Sequence, residues 1–375
     1  MTAERPPGDL AAFVGIDAAA LWLRPLGLLR GAAAQAMIAS GEAVPLAGGP
    51  RAFALVEALA LRDGRLLAAA TTLAALRRWA AGQSAAMADR VAAQLAGLTG
   101  RRKPWAGFAL DRPLVMGVLN VTPDSFSDGG DFSDPARAIA AGRAMLAAGA
   151  DIIDIGGEST RPGAAPISQE TEIARVAPVI AALAEAGAAV SIDTRHAAVM
   201  AAALDKGAGI VNDITALTGD PGAAGIVARA GAALVLMHMQ GEPRTMQREP
   251  VYANAPLEIA AYLAARIAAC EAAGIARERI VVDPGFGFGK TVAHNLELLE
   301  RFALLHALGC GVLLGVSRKS SIGTLSNVAE PKGRLAGSLA GALHGLSEGA
   351  DILRVHDVAE TRQAIAVWQA VAEAT

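Results

Sequence analysis

The sequence is short of aromatic residues. Phe, Trp and Tyr make up only 4% of its 375 positions, although 53% are hydrophobic. Much of that apolar content is Ala, Leu and Val, so a large core is available but is built from small side chains. Cysteine is scarcer still: Cys270 and Cys310 stand far apart. This excludes a disulfide framework or a zinc-ligand spacing and fits a reducing cytoplasm. No charge sign dominates. Net charge is −3 and the isoelectric point about 6.1, which excludes the basic face of a nucleic-acid binder. The one compact basic cluster, Arg101-Arg102-Lys103, reads as a solvated linker. Mean hydropathy is +0.39, yet charges interrupt every apolar stretch before the ~18–20 residues a spanning helix needs. The longest uncharged stretch, Phe302–Ser317, contains His306 and glycines and is closed by Arg318-Lys319. The N-terminus carries an acid early and shows no leader pattern.

What is present divides the chain in two. Residues 1–103 hold Ala/Leu-rich helical patterns, clearest over Ser84–Leu98, and a turn-rich stretch at Ala47–Pro50, with no convergent polar cluster. They read as an N-terminal extension of about 100 residues packed on the remainder of the chain. Gly100–Pro113, with Arg, Lys, Trp and two prolines, looks like the passage into a new domain over residues 104–375. There, short apolar runs alternate with Ala-rich helical stretches. Strands are expected at Leu114–Val121, Asp151–Gly157, Ala189–Thr194, Gly209–Thr215, Ala233–His238, Ile280–Gly285, Gly311–Ser317 and Ile352–Asp357. Near-continuous apolar runs suit parallel strands buried on both faces. Between them lie helices such as Pro135–Ala148, Glu170–Ala186 and Leu257–Ala273. One unbroken series of β-then-α units suits an α/β fold of the (β/α)8 TIM-barrel type better than a doubly wound open sheet.

The polar residues fall at the strand ends. They are Asn120, Glu158 after Gly156-Gly157, Asp193, Asn212-Asp213, His238, Asp283, Ser317-Arg318-Lys319 and Arg354 to Asp357. In a barrel these ends converge on one face, where active sites of this architecture sit. An Asp or Asn in such a place also serves as a helix N-cap, and taken singly Asp193 and Asp213 fit either role. Met237 and Phe288 alone are ordinary core residues, and His238 and His294 ordinary structural or surface histidines. It is the convergence that points to a site. Asp193, Asn212, Asp283 and Lys319 suit the donor–acceptor edge of a flat heterocycle. Arg161, Arg354 and His356 suit a phosphate-bearing substrate. Asn120 and the acids after it could place an oxygen-ligated Mg2+ on a diphosphate. Ser317 and its successors lead into a helix N-terminus, which attracts an anion such as a carboxylate. Pro284 to Thr291 imitates a P-loop, but Pro284 stands where that pattern needs glycine, and Phe286 and Phe288 suit a wall for an aromatic ligand.

Leu119 to Gly129 and Asp154 to Gly163 resemble the two signature loops of dihydropteroate synthases. Ser191-Ile192-Asp193-Thr194, Asn212-Asp213-Ile214, Met237 to Gly241, Asp283 to Lys290, Ser317-Arg318-Lys319-Ser320 and Arg354 to Val358 come after them in order and are similar to the family's remaining motifs. The resemblance covers about residues 112–375 and implies a (β/α)8 barrel that condenses (7,8-dihydropterin-6-yl)methyl diphosphate with p-aminobenzoate, a folate-pathway transferase and sulfonamide target. It further implies that Asp193, Asn212, Asp283 and Lys319 hold the pterin between Met237 and Phe288. Arg354, His356 and Arg161 would hold the diphosphate, with Mg2+ on Asn120. Thr160, Pro162 and Ser317 would frame p-aminobenzoate, and the chain would be a cytoplasmic homodimer. The Gly-, Ser- and Pro-rich loops after the first two strands are expected to be mobile and to close over the site. The alternatives are a methyltetrahydrofolate-type methyltransferase, which has no need of the Arg161/Arg354/His356 set, and a non-catalytic paralogue.

Overall fold

The computed structural model describes residues 9–122, 135–159, 166–242 and 245–374. Thr160, Arg161 and Pro162, and the loop of residues 123–134, lie outside them, as do the expectations attached to both loops.

The first hundred residues depart from the helical reading in part: the helix expected over Ser84–Leu98 is present, but a sheet stands before it. β1 (Trp22–Leu26), β4 (Leu55–Arg62) and β5 (Arg65–Thr72) form an antiparallel sheet in the order β1-β4-β5. A small ribbon of β2 (Val44–Pro45) and β3 (Ala52–Phe53) lies between β1 and β4 in the chain. Among the described residues the α-helices that accompany them are α1 (Gly31–Ala39), α2 (Leu73–Ala81) and α3 (Ala85–Thr99). Ser84 caps α3, its side chain accepting from the Met87 N–H. The β4–β5 hairpin turns on Asp63-Gly64, both at positive φ, the dipeptide a two-residue primed turn prefers. Strand alternation gives the sheet two apolar faces. Leu21, Leu23, Val56, Ala58 and Ala60 join a core with α2 and α3, while Trp22 and Leu59 join the core of the second domain.

That second domain is a closed eight-stranded barrel. Its strands are β6 (Leu114–Asn120), β7 (Ile152–Gly156), β8 (Ala189–Asp193), β9 (Ile210–Asp213), β10 (Ala233–Met237), β11 (Ile280–Asp283), β12 (Gly311–Leu314) and β13 (Ile352–Val355). Each pairs in parallel with the next and β13 pairs with β6. Around them run α4 (Pro135–Ala147), α5 (Gln169–Glu185), α6 (Ala197–Asp205), α7 (Ala223–Ala230), α8 (Ala255–Ala272), α9 (Val292–Glu300), α10 (Ser320–Ser326), α11 (Leu335–Ser347) and α12 (Val358–Glu373). No described helix is long and apolar enough to cross a membrane.

The barrel interior changes character along its axis. Met116, Ile152, Ile210, Val235, Val281, Leu313 and Ile352 fill its lower part, closed below by the buried Trp105. The indole N–H of Trp105 donates to the Arg279 carbonyl at 2.9 Å. Two residues further up the same strands stand Asp154, Asn212, Met237, Asp283 and Arg354. With a side-chain period of two they point into the same interior. The sequence thus builds an apolar plug with a polar layer on top of it.

The basic triplet is not a solvated linker throughout. The Arg102 guanidinium donates to the carbonyls of Cys310 (3.2 Å) and His306 (3.1 Å), and Lys103 pairs with Glu278 at 2.9 Å. Arg102 pins the extension to the barrel by giving donors to the carbonyls of a buried segment.

Candidate active site

The polar layer is organised around a hydrogen-bonded cluster of Arg354, Asp154, Asp193 and Asn212. Arg354 donates through Nε to Asp154 Oδ2 and through Nη2 to Asp193 Oδ2, both at 2.6 Å. Asn212 Nδ2 donates to the same Asp154 oxygen at 3.0 Å. Asp283 Oδ1 accepts from the Gly285 N–H at 2.7 Å. Lys319 Nζ lies 3.9 Å from the centroid of the Phe288 ring, a cation–π contact. Ser317 Oγ accepts from the His356 N–H at 3.2 Å and lies 3.1 Å from His356 Nδ1. Met237 packs under Gly285.

Crowding charges where water is scarce shifts their titration. Burial pushes the Asp193 carboxyl up to about 7, against the pull of Arg354 and with the push of Asp154 and Asp213. Burial also raises Asp283, opposed by the Gly285 N–H and by Lys319. Lys319 is brought down to about 8, first by burial and then by Arg354, with Asp283 and Asp193 opposing. Burial and Arg354 hold His356 neutral, down to about 3. The layer therefore combines two acids raised by burial, an ammonium lowered by it and a guanidinium fixed between carboxylates.

Of the two strand-end acids that suit either role, Asp193 faces the network. Asp213 instead accepts from the Thr215 N–H and hydroxyl, both 2.7 Å, and from the Leu217 N–H at 2.9 Å. It is a turn cap. Asp154 belongs to the polar layer although strand-end position does not reveal it, and it is fully buried at the centre of the Arg354 cluster. Its signal lies elsewhere in the sequence: it is the polar residue two positions after Ile152, on the inward side of an otherwise apolar run.

The glycine-rich segment after β11 is a wall. Gly285 has φ +68°, and a Cβ there would meet the His238 carbonyl oxygen at 1.9 Å, so only glycine fits. Lys290 secures the segment from beneath. Its Nζ donates to the carbonyls of Phe288 (2.8 Å), Gly285 (2.9 Å) and His238 (3.3 Å) and lies 3.0 Å from His238 Nδ1. The side chain that imitates a P-loop lysine is thus buried against backbone and has no reach to a phosphate. Lys290→Met keeps the length and removes every donor. It is expected to lower stability by about 3 kcal/mol, because several buried acceptors lose their partner. That corresponds to about 4 °C in Tm for a chain of this size. It should raise KM for a ligand lying on Phe288 more than it lowers kcat. An unchanged melt and KM would show that the segment holds itself.

This arrangement defines a pterin-binding enzyme of the α/β-barrel class: a family model described as Pterin binding enzyme matches residues 116–356. The chain belongs to the dihydropteroate synthase family. It is 49% identical over 266 residues to the dihydropteroate synthase of Escherichia coli strain K12, covering 71% of this chain and 94% of that one. Two solved structures agree. That of Xanthomonas albilineans dihydropteroate synthase in complex with 7,8-dihydropteroate matches with TM-score 0.65 and 46% identity, over 70% of this chain and 95% of that one. That of the Yersinia pestis enzyme with a sulfonamide drug complex matches with TM-score 0.67 and 47% identity, over 70% and 96%.

Proposed function

We infer that the barrel mouth condenses (7,8-dihydropterin-6-yl)methyl diphosphate with p-aminobenzoate, releasing diphosphate and 7,8-dihydropteroate. The observation that carries this reading is the polar layer itself: Asp283, Asn212 and Asp193 beside the cation Lys319, which lies on the flat Phe288 ring. Carboxyl and amide groups match the amino and ring N–H donors of a pterin, and the Lys319 ammonium matches its acceptor edge. Phe288 and Met237 supply the flat contact. Breaking the C–O bond to diphosphate leaves an electron-poor CH2 carbon on the pterin, which suits an SN1-like displacement. Asp193 and Asp283 stabilise that positive charge, and the aniline nitrogen forms the new C–N bond before giving up its proton to water. The aniline is already a free base at neutral pH, so no strong general base is required.

Arg354 on β13 and His356 just past it serve the diphosphate, together with Arg161. Ser317, hydrogen-bonded to His356, frames p-aminobenzoate with Thr160 and Pro162. The donor set also fits Mg2+, which takes oxygen ligands and leaves much of its shell to substrate phosphate. Asn120 Oδ1 and Asp193 Oδ2 lie 3.5 and 3.8 Å from the point where a Cβ on Gly156 would stand, so two oxygens approach one place. Asn120 would hold the ion, which would neutralise charge on the departing diphosphate. The reaction and the balanced composition suit a cytoplasmic enzyme. Family likeness supports a homodimer, which sedimentation velocity would read directly.

The test is incubation with the pterin diphosphate and ring-labelled p-aminobenzoate. Labelled pteroate and diphosphate should appear one for one, and absence of labelled pteroate sinks the reading. The pH profile adds a sharper expectation. Lys319 works as the cation and loses its proton as pH rises through about 8, so kcat/KM should fall on that alkaline side. Lys319→Arg keeps a charge that does not titrate there and should move the fall to higher pH, whatever it does to the maximum. An alkaline limb that stays in place would assign it to another group.

A further inference from the structure

We propose that Glu158, Glu172 and His196 form a binding site for a first-row divalent cation of the Zn2+ or Mn2+ kind beside the substrate mouth. The three come from separate elements: Glu158 two residues past β7, Glu172 in the first turn of α5, and His196 at the N-cap position of α6. One ligand atom from each lies within 4.8 Å of the others, and Glu158 Oε2 is 3.7 Å from His196 Nε2. Tetrahedral ligands about 2.1 Å from a common centre stand roughly 3.4 Å apart, so side-chain adjustment alone closes the set.

Glu172 is what marks this cluster out from an ordinary acidic patch. It is 1% exposed, and neither carboxylate oxygen reaches full hydrogen-bond geometry among the described residues, the Thr194 hydroxyl giving it only a weak contact. Burial brings its carboxyl up to about 7, opposed by the nearby Thr194 hydroxyl and Arg195 and helped by Glu158 and Asp193. A buried acid so poorly partnered is costly, and a cation ligated by it offsets that cost. The fold brings Glu172 in closely. Gly157 has no side chain, and a Cβ there would meet Val176 Cγ1 at 2.8 Å and Glu172 Cγ at 2.9 Å, so α5 packs directly on the strand end. The His196 imidazole makes no capping hydrogen bond, which leaves it available as a ligand. Arg195 donates to both Glu158 oxygens, at 3.2 and 3.4 Å. It thus orients the carboxylate from outside, as outer partners of metal ligands do. Two carboxylates and one imidazole favour Zn2+, Mn2+ or Co2+ over Mg2+ or a thiolate-seeking ion. A bound cation would tie the end of β7 to α5 and to the end of β8, immediately beside Asp193.

Co2+ titration of the whole, substrate-free protein at pH 8, where Glu172 is ionised, tests this by visible d–d bands and calorimetry. One equivalent should bind in the wild type and in Asn120→Ala, which separates this site from the diphosphate Mg2+. Glu172→Gln and His196→Ala should each weaken binding at least ~100-fold, since each removes a direct ligand rather than an outer partner. Far-UV circular dichroism checks their fold, and Glu158→Gln replaces either one that fails to fold. No Co2+ binding to the wild type, bands that persist in the folded ligand variants, or loss of binding in Asn120→Ala would overturn the proposal.

Discussion

Lys319→Ala is expected to lower kcat/KM for the pterin diphosphate about 10³-fold, roughly 4 kcal/mol of transition-state stabilisation, while the protein stays folded. The size is set by where the ammonium lies. It is held over Phe288 and faces Asp193, Asp283 and Arg354, in a mouth where burial strengthens every charge. Removing it leaves the acids of the layer with Arg354 as the guanidinium already shared between Asp154 and Asp193. Asp193 and Asp283 then take up protons more readily, and a protonated acid stabilises a cationic pterin less well. The acceptor edge of the pterin loses its charged donor in the same step. Stability should change little, because the lost attraction to the two acids is offset by lost repulsion from Arg354 and by relief of a buried ammonium. Steady-state kinetics with both substrates and a thermal melt check the two halves. Activity within tenfold of wild type would remove Lys319 from the site.

The strand ends are readable because barrel geometry turns position into function. A polar residue that closes an apolar run can only face the mouth or cap the next helix, and several together cannot all be caps. Asp193, Asn212, Asp283 and Lys319 are legible for that reason, and the family likeness assigns them a common ligand. Asp154 is harder because it sits inside its run rather than at its end. Only the two-residue period, counted from Ile152, shows that it points inward. Lys290 is hidden by its resemblance to a phosphate-binding lysine. Its acceptors are backbone carbonyls brought together by tight glycine turns, and carbonyl direction leaves no trace in residue type. Asp213 and Asp193 look alike in the sequence. They part only when Ala216 and Leu217 take positive φ and direct the Leu217 N–H at Asp213. The extension reads as helical for a compositional reason. Ala and Leu favour helix by intrinsic propensity, yet β4 and β5 are strands because alternation buries both faces of the sheet, a tertiary gain that overrides the local preference. The Asp63-Gly64 turn is the one local sign of it.

Deleting residues 1–103 is expected to lower the melting temperature by roughly 15 °C while leaving kcat at 25 °C within a few-fold of the full chain. The extension is anchored at the amino-terminal ends of barrel strands and the carboxy-terminal ends of helices. Arg24 pairs with Glu57 within the extension and with Glu300 at the end of α9. Arg51 pairs with Asp351, just before β13. Arg102 reaches His306 and Cys310 ahead of β12, and Gly31 lies against Ala372 near the end of α12. That is the face of a barrel that carries stability, opposite the one that carries chemistry. Truncation uncovers the apolar surface under Trp22 and Leu59, at about 1.5–3 kcal/mol for each large side chain. It also strips Asp351, 3% exposed, of its guanidinium while its carboxylate still has to accept the Val312 N–H; breaking a buried pair costs about 3–5 kcal/mol. Together these come to roughly 8 kcal/mol, and a barrel of this length loses about 2 °C for each. The Escherichia coli relative matches over 94% of its own length without this extension, so a barrel of this family stands alone. This barrel has instead placed Phe302–Leu308, buried throughout, beneath a second sheet. Thermal melts and turnover of the truncated and full chains decide the matter. A truncated chain that melts within a few degrees of the full one would show the extension to be an appendage. One that stays folded but loses turnover would place part of the extension at the mouth.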